Sequence, residues 1–202
     1  MSEAAETTRP ATKDTRQRIL AGAALLFSEH GYAHGSIRNI TSTCGIQGPS
    51  FYHHFRSKEE MTAELLREAA AQAMAELDKI PPTMYTGDPK ALLDAAIDAH
   101  LRAYFDPNRK LAALVNIYKQ LPPDLFLLTR QALRPQRDRW VKIITAASRD
   151  RIPGDPDANA ISLVLFGAMN AMADWQQRPG FAMPLPELRQ LFSDIVFCGL
   201  RG

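Results

Sequence analysis

Apolar side chains recur along this chain at the three- and four-residue spacing of amphipathic helices. The spacing first runs from Thr12 to Gly31 and returns in one segment after another as far as about residue 200. No segment shows the two-residue alternation that is typical of a half-buried strand. The pattern therefore predicts an all-α protein of about nine helices.

Residues that begin and end helices divide this pattern into separate elements. The segment Ser57 to Glu60 matches a capping box, which predicts a long helix from Ser57 to about Lys79. Another long helix is predicted from Pro123 to about Arg149, followed by two more over about 157–177 and 186–200. The remaining predicted boundaries are starts at Ser36, Gly48-Pro49, Asp88-Pro89 and Asp106-Pro107 and stops at Gly31 and Gly45.

The first quarter of the chain has the pattern of a DNA-binding helix pair. Two short predicted helices meet at Gly45, and the second is closed by Phe51 and Phe55, which we expect to turn inward against the first long helix. Two short helices joined in this way are typical of a helix-turn-helix, whose second helix enters the major groove of DNA. The expected organisation is a disordered arm over 1–11, a helix-turn-helix domain over 12–56 and a second helical domain over 57–202.

Composition narrows the class of protein. The chain has 202 residues, of which 46% are hydrophobic and 23% charged, with a formal net charge of +2. These values are ordinary for a globular protein, and no apolar run approaches the roughly 20 residues of a membrane-spanning helix. The acidic N-terminus is unlike a secretory signal, and Cys44 and Cys198 lie far apart. We therefore expect a cytoplasmic protein without a disulfide or a membrane partner.

Positive charge is concentrated around the predicted helix-turn-helix. Seven basic side chains stand between Arg9 and Lys58 against two acidic ones, an excess of five. A local basic surface of this kind favours contact with phosphate groups. The alternative is that these side chains form an ordinary solvated surface. The accompanying helix-turn-helix motif makes this the weaker interpretation.

The stretch from Arg18 to Glu60 resembles the N-terminal motif of the TetR family. The match covers about 45 residues and includes Gly31-Tyr32, Gly45-Ile46 and the string Tyr52-His-His-Phe-Arg-Ser-Lys-Glu59. The resemblance implies an all-helical homodimer in which three N-terminal helices bind DNA and a variable C-terminal domain binds a small molecule. Thr41 and Thr43 depart from the pattern, because small apolar residues are more usual at these positions.

The expected DNA contacts lie on and around the second short helix, over about 48–54. The Gln47 amide is suited to adenine, and the start of the preceding helix is suited to a phosphate. The resemblance adds phosphate contacts by Tyr52 and Lys58. The full expected set is Ser36, Arg38, Thr41, Gln47, Gly48, Pro49, Ser50, Tyr52, His53 and Lys58. For Ser36 and Thr41, simple helix capping or surface polarity remains open.

Aromatic and polar side chains are mixed on the inner faces of the later predicted helices. Buried polar groups need partners, and a ligand can be one. The candidates for ligand binding are His100, Tyr104, Phe105, Asn116, Tyr118, Phe126, Trp140, Asn170, Trp175 and Arg178. A role in the core is the alternative for the aromatic residues and for His100.

The segment from Trp175 to Gly180 is similar to a Trp-x-Arg-Pro-Gly segment of family members that respond to fatty-acyl-CoA or steroid catabolites. Here one additional residue separates Trp175 from Arg178. The similarity implies a ligand with a thioester, phosphate or carboxylate group, and Arg178 is suited to bind the anion. A helix stop at the surface is the alternative.

The sequence carries no pattern typical of an enzyme. It lacks a nucleophile elbow, a phosphate loop, zinc-ligand spacing and paired catalytic carboxylates. His53 and His54 are adjacent on a helix and point about 100° apart, so they cannot chelate one metal ion. We expect no cofactor and no metal.

The leading interpretation is a homodimeric repressor that leaves double-stranded operator DNA when a small-molecule effector binds. The last two helices are the most apolar, and Gly167, Ala168 and Ala171 permit close approach of another helix. The resemblance implies that these helices meet their symmetry mates in the dimer, and an internal core is the alternative. The alternative functions are a ligand-independent regulator or activator and a small-molecule carrier.

Overall fold

A computed structural model describes residues 9–108, 110–148, 158–175 and 183–199. Within these ranges the chain forms ten α-helices, two short 3-10 helices at Pro82–Thr86 and Tyr118–Gln120, and no strand. The α-helices are α1 Arg9–His34, α2 Ile37–Cys44, α3 Gly48–Tyr52, α4 Lys58–Asp78, α5 Pro89–Tyr104, α6 Lys110–Ile117, α7 Pro123–Ala132, α8 Arg134–Ser148, α9 Ala158–Trp175 and α10 Leu185–Gly199. The predicted all-α class is confirmed. Among the described helices, none combines the length and the apolar character needed to cross a membrane.

Local caps define the helices around the predicted helix-turn-helix. The Ser36 hydroxyl accepts a hydrogen bond from the Asn39 amide at 3.1 Å at the start of α2. Ser57 caps α4 in the same way and accepts from the Glu60 amide at 3.1 Å. Gly45 ends α2 with a φ of 63°, in the left-handed region that favours glycine. The predicted boundaries at these positions are confirmed.

The helix predicted over 123–149 is in fact two helices, which makes ten rather than nine among the described residues. α7 ends at Ala132 and α8 begins at Arg134. Pro135 explains the break, because proline has no N–H to donate and its ring collides with the carbonyl four residues before it.

Two other predicted boundaries are displaced. Asp106-Pro107 forms a turn, in which Asp106 accepts from the Asn108 amide at 2.8 Å, and α6 begins only at Lys110. α1 begins at Arg9, inside the expected disordered arm over 1–11. Pro10 is compatible with this start, because the first turn of a helix does not use its N–H groups. The remainder of the expected arm, 1–8, lies outside the described residues.

The chain forms two compact units. The first contains the described residues up to Ala69 together with Asp106–Gln131, and α6 packs along α1 within it. Because α6 joins the N-terminal helices, this unit does not end at the expected domain boundary between residues 56 and 57. Its buried core includes Ile19, Leu20, Phe27, Ile40, Phe51, Phe55, Leu65, Leu66, Leu111, Leu114 and Ile117.

Hydrogen bonds from other helices of the first unit converge on the end of α1. α1 breaks at Gly31, where φ is 76° and ψ is 178°. A break leaves the carbonyls of the preceding turn without donors from their own helix. Asn116 on α6 supplies a donor, since its side-chain nitrogen donates to the carbonyl oxygens of Phe27 at 2.8 Å and Ser28 at 3.1 Å. The predicted stop at Gly31 is thus confirmed, and α6 supplies hydrogen bonds to the carbonyls that the break exposes.

Tyr32, the residue after the break, is held by two further side chains. The side-chain oxygen of Gln120 accepts from the Tyr32 amide at 3.0 Å. On the other side, the Lys58 ammonium donates to the Tyr32 carbonyl at 2.6 Å. We refer to Asn116, Gln120 and Lys58 as the junction clamp, because together they fix the segment where α1 leads into α2.

The second unit contains Ala70–Phe105 and the described residues from Ala132 onward. α5 packs against α8 and α10, and α8 packs against α9. Trp140 is fully buried in this apolar core, whose other large members are Leu77, Ile80, Leu92, Leu93, Ile97, Leu101, Ile143, Ile144, Leu165, Met169, Leu188 and Phe192.

α1 and α2 approach each other most closely at Gly22. A Cβ atom at this position would lie 2.4 Å from the Cys44 Sγ atom. The same contact carries two hydrogen bonds, from the Arg18 guanidinium to the Cys44 carbonyl at 2.8 Å and from the Cys44 thiol to the Arg18 carbonyl at 3.2 Å. Cys44 is a free thiol, and burial raises its pKa. Cys198 has no described side chain.

We expect Gly22→Ala to lower the free energy of unfolding by about 1–3 kcal/mol, because the added methyl group overlaps the Cys44 sulfur. The double variant Gly22→Ala, Cys44→Ala should recover most of this loss, which urea unfolding measures directly. Gly48→Ala is the matched control, since nothing lies within 4 Å of its Cβ position. A double variant no more stable than Gly22→Ala alone would show that the sulfur is not the obstacle.

Candidate nucleic-acid interface and buried polar cluster

α2 and α3 form a short helix pair around a tight turn. Gly45 donates to the Ser42 carbonyl at 3.1 Å, and the Ile46 amide donates to the Thr41 carbonyl at 3.0 Å. α3 starts at Gly48, with Pro49 in its first turn. This is the geometry of a helix-turn-helix, in which the second helix is presented to DNA.

Two buried aromatic rings hold α3 from behind. Phe51 is fully buried and Phe55 is 1% exposed, with 5.7 Å between their ring centroids. The Arg16 guanidinium of α1 lies 4.1 Å from the centroid of the Phe55 ring. The inward orientation predicted for both phenylalanines is therefore observed, and it leaves the opposite side of α3 facing outward.

Most of the expected DNA contacts lie on this outward side. Tyr52 is 60% exposed, and its ring meets Phe51 edge-on at 5.5 Å. Gln47 makes no side-chain capping bond, so its amide is not committed to the helix start. The other outward or partly exposed residues of the expected set are Ser36, Arg38, Gly48, Pro49, Ser50 and His53.

Two members of the expected set do not lie on this surface. Thr41 is only 4% exposed, and its hydroxyl donates to the Arg38 carbonyl at 3.0 Å within its own helix. The Lys58 ammonium belongs to the junction clamp and lies 3.7 Å from the centroid of the Tyr32 ring. Burial lowers the pKa of Lys58. In this structure the Thr41 hydroxyl and the Lys58 ammonium are each bonded to a backbone carbonyl, that of Arg38 and that of Tyr32.

The basic surface is smaller than the sequence count suggests. Arg16 on α1 forms an ion pair with Glu64 on α4 and also donates to the His54 carbonyl. The Glu64 hydrogen bond is the main reason that the pKa of Arg16 is raised. Arg16 and Lys58 therefore link helices, and the exposed bases of the described motif are Arg18, Arg38 and Arg56.

Three carboxylates fix α4 in the first unit; sequence reasoning identified Glu60 through its capping box but missed Glu64 and Glu68. Glu60 accepts from the Arg56 amide at 2.7 Å, and Glu64 pairs with Arg16. Glu68 accepts from Lys110 on α6 at 2.6 Å and from Gln17 on α1 at 3.1 Å. The four-residue spacing of these three glutamates was the available signal, since it puts them on one face of α4.

The expected ligand-binding residues are divided between the two units. Asn116 belongs to the junction clamp, and its side-chain amide donates to carbonyls of α1. Tyr118 and Phe126 also lie in the first unit, where their ring centroids are 5.0 Å apart. These three residues lie in the first unit, because the short segment after α6 packs with the N-terminal helices.

In the second unit, His100, Trp140 and Asn170 are brought together from α5, α8 and α9. The His100 ring lies 6.3 Å from the Trp140 ring, and its Nε2 atom is 3.2 Å from the Asn170 side-chain oxygen. Phe166 completes the group, with its centroid 5.5 Å from His100 and 5.4 Å from Trp140. We call these four residues the buried polar cluster. Sequence reasoning missed Phe166, although it lies four residues before Asn170 on α9.

The other expected ligand contacts are placed differently. Tyr104 is 5% exposed and Phe105 is 37% exposed, and their rings meet at 5.3 Å at the end of α5. The side chain of Trp175 and all of Arg178 lie outside the described residues.

Burial controls the charge of His100. The residue is 3% exposed, and desolvation lowers its pKa from 6.5 to about 4, opposed in part by the hydrogen bond with Asn170. His100 is therefore neutral near pH 7, with one ring nitrogen carrying a proton.

Two family models match this chain. Residues 19–65 match the model described as "Bacterial regulatory proteins, tetR family", and residues 86–200 match "Tetracyclin repressor-like, C-terminal domain". Among curated proteins, the chain is similar to the HTH-type transcriptional repressor KstR2 of Mycolicibacterium smegmatis. The two are 27% identical over 201 residues, which cover 95% of this chain and 92% of KstR2.

Solved structures share the same fold. The TetR family transcriptional regulator PfmR from Thermus thermophilus has a TM-score of 0.73 and 25% identity, covering 90% of this chain and 97% of PfmR. AibR in complex with isovaleryl coenzyme A and operator DNA has a TM-score of 0.74, covering 91% of this chain and 98% of AibR. Its identity is 16%, so this likeness concerns the fold alone.

We expect stability to fall as the pH is lowered from about 7 to about 4. Over this range the unfolded chain binds a proton at His100, whereas the folded core excludes it. Protonation therefore stabilises the unfolded state relative to the folded state. The interval from 6.5 to about 4 corresponds to at most about 3 kcal/mol. Urea unfolding at several pH values measures the slope. His100→Phe should reduce that slope, whereas the control His53→Gln, at an exposed histidine, should keep it. An unchanged slope in His100→Phe would contradict the assignment.

Proposed function

The chain belongs to the tetR family of bacterial regulatory proteins, and from this premise we propose a homodimeric repressor that reads operator DNA with α2 and α3 and is released by a small-molecule effector. The members of this family are DNA-binding transcription factors and not enzymes. The proposed partner is double-stranded operator DNA, which implies a cytoplasmic location.

The single observation that carries the proposal is the two-sided character of α3. Phe51 is fully buried on one side, while Tyr52 is 60% exposed on the other. Gln47, at the entry to α3, keeps its amide available for a base edge. Around α3, the exposed Arg38 side chain is suited to phosphate, which positions the protein without reading sequence.

The proposed dimer contact is an apolar stripe on α9. Leu163 is 66% exposed and Val164 is 71% exposed, although Leu165 and Met169 of the same helix are buried. The exposed positions continue at helical spacing through Ala160, Leu163, Val164, Gly167 and Ala171. No atom lies within 4 Å of the Cβ position of Gly167, so a partner helix has room to approach.

α10 adds a second apolar stripe to the proposed contact. Ile195 is 60% exposed and Leu191 is 39% exposed, four residues apart, while Leu188 and Phe192 face the core. An isologous contact between two such helix pairs buries all of these side chains. It also explains why exposed apolar residues are so frequent on these two helices. Ala168, expected in this stripe, instead packs against the core.

The proposed effector is a molecule of the acyl-CoA or lipid type. The similarity of the segment Trp175 to Gly180 to acyl-CoA- and steroid-responsive members supports this class, and AibR has a similar fold with isovaleryl coenzyme A and operator DNA bound. Release of DNA requires that the effector bind the DNA-incompetent arrangement more tightly than the competent one.

The DNA-binding proposal predicts different effects for two substitutions in α2 and α3. Gln47→Ala should weaken binding to a preferred duplex by about 10–100-fold and reduce the preference over a scrambled duplex, because a base contact is lost. Arg38→Ala should weaken binding to both duplexes and lower the dependence of log Kd on log salt by about one. Fluorescence anisotropy on DNA from upstream of its own gene, at several salt concentrations, measures both.

Thr41→Val is the matched control for this experiment. Its hydroxyl is buried and bonded to the Arg38 carbonyl, so DNA affinity should stay unchanged. Equal affinity of wild type and Gln47→Ala for the preferred duplex would contradict the base contact. Isovaleryl-CoA added to the wild-type complex tests the effector class, and DNA binding insensitive to every acyl-CoA would favour a ligand-independent regulator.

The dimer proposal predicts that Leu163→Asp converts the protein from dimer to monomer at micromolar concentration. A charged side chain in the centre of the apolar contact would be buried without a partner. Sedimentation velocity measures the change. Leu127→Asp is the matched control, since Leu127 on α7 is 55% exposed but lies outside the stripe, and it should stay dimeric. A dimeric Leu163→Asp variant would place the contact elsewhere.

A further inference from the structure

The buried polar cluster contains two polar atoms that the described residues leave without a hydrogen-bond partner. They are the Nδ1 atom of His100 and the Nε1 atom of Trp140. Trp140 is fully buried and His100 is 3% exposed, so bulk water does not satisfy either atom. The two rings are neighbours, with their centroids 6.3 Å apart and their planes at 78°.

The chemical character of each atom follows from its surroundings. The Asn170 oxygen accepts at 3.2 Å from His100 Nε2, so Nε2 carries the proton of the neutral ring. Nδ1 is then a hydrogen-bond acceptor. The indole nitrogen of Trp140 is only ever a donor. The cluster thus offers one donor and one acceptor from adjacent rings.

Leaving both atoms unpaired is costly. A buried donor or acceptor without a partner destabilises a protein by about 1–3 kcal/mol. Helix backbones do not relieve this cost, because their own groups are already paired. The nearby side chains Ile97, Phe166 and Met169 belong to the apolar core or pack against it and carry no group that could serve.

A hydroxyl group matches this arrangement, because it accepts one hydrogen bond and donates another. We propose that His100 and Trp140 bind a hydroxyl group on the apolar, buried part of the effector. This hydroxyl accepts from Trp140 Nε1 and donates to His100 Nδ1. This inference rests on the proposed effector-responsive function and specifies the chemistry of the buried part of the ligand. A carboxylate or phosphate does not fit here, since the cluster has no cationic side chain to neutralise it.

The position of the cluster connects it with the proposed dimer. Asn170 and Phe166 are on α9, the helix that also carries the exposed stripe of Leu163 and Val164. His100 and Trp140 come from α5 and α8. A hydroxyl group bonded to the His100 and Trp140 ring nitrogens therefore lies where α5, α8 and α9 meet, and α9 also carries the proposed dimer contact.

Cyclohexanol and cyclohexanone test the proposal as probes, because they have similar size and polarity but only the alcohol can donate. The chain has two tryptophans, and the indole N–H signal of Trp140 is the one that is absent from the spectrum of Trp140→Phe. In the wild-type protein this signal reports binding by NMR. We expect cyclohexanol to shift that signal and to bind about 10-fold more tightly than cyclohexanone. Equal or tighter binding of the ketone would overturn the proposal, since it would mean that both rings donate.

His100→Phe is the second arm of the experiment. It removes the acceptor and should abolish the preference for cyclohexanol over cyclohexanone, while methylcyclohexane binds with less than threefold change. If no probe moves the Trp140 signal in the wild-type protein, the cluster holds only water and the proposal is wrong. These measurements need no DNA. A negative result here can therefore be distinguished from a negative result in the operator-binding experiment that tests the proposed function.

Discussion

The hydrogen bonds at the break in α1 are the constraint on which the N-terminal unit depends. Gly31 interrupts α1 about one turn before its end at His34, and the backbone groups on either side need partners from elsewhere. Asn116 and Gln120 supply them from the segment around α6, and Lys58 supplies one from α4. The direction in which α2 and α3 leave α1 is therefore set by residues that are distant in sequence and do not face DNA.

The junction clamp also explains how the polar side chains of this motif are shared between structure and recognition. Lys58 and Arg16 carry the charge that phosphate contact needs, yet both are engaged with backbone carbonyls or carboxylates inside the unit. The exposed surface around α3 consists of uncharged groups with a few arginines. If DNA binds there as proposed, different cations serve rigidity and phosphate contact in a protein whose net charge is only +2.

The second unit combines a buried polar cluster with an exposed apolar surface on the same helix. α9 turns Met169 to the core and leaves Leu163 exposed. His100 stays neutral in this core because desolvation outweighs its hydrogen bond with Asn170. An uncharged histidine keeps one acceptor nitrogen, and the proposed hydroxyl recognition depends on that nitrogen.

The sequence alone determined the helical class and most helix boundaries, since caps and breaks act between residues at most a few positions apart. Ser36, Gly45 and Asp88 each act on backbone groups of the next or previous turn, and these contacts were predictable. The inward Phe51 and Phe55 followed from helical periodicity in the same way.

Only the tertiary structure decided the roles of polar residues. Asn116 and Asn170 look alike in sequence, as asparagines on helices with mixed faces. One bonds a carbonyl 89 residues away and the other a histidine 70 residues away. Thr41 and Ser36 are likewise similar hydroxyls, but one is buried and one exposed. The physical reason is that a polar side chain takes its role from the groups that the fold brings to it, and these lie beyond the range of local sequence.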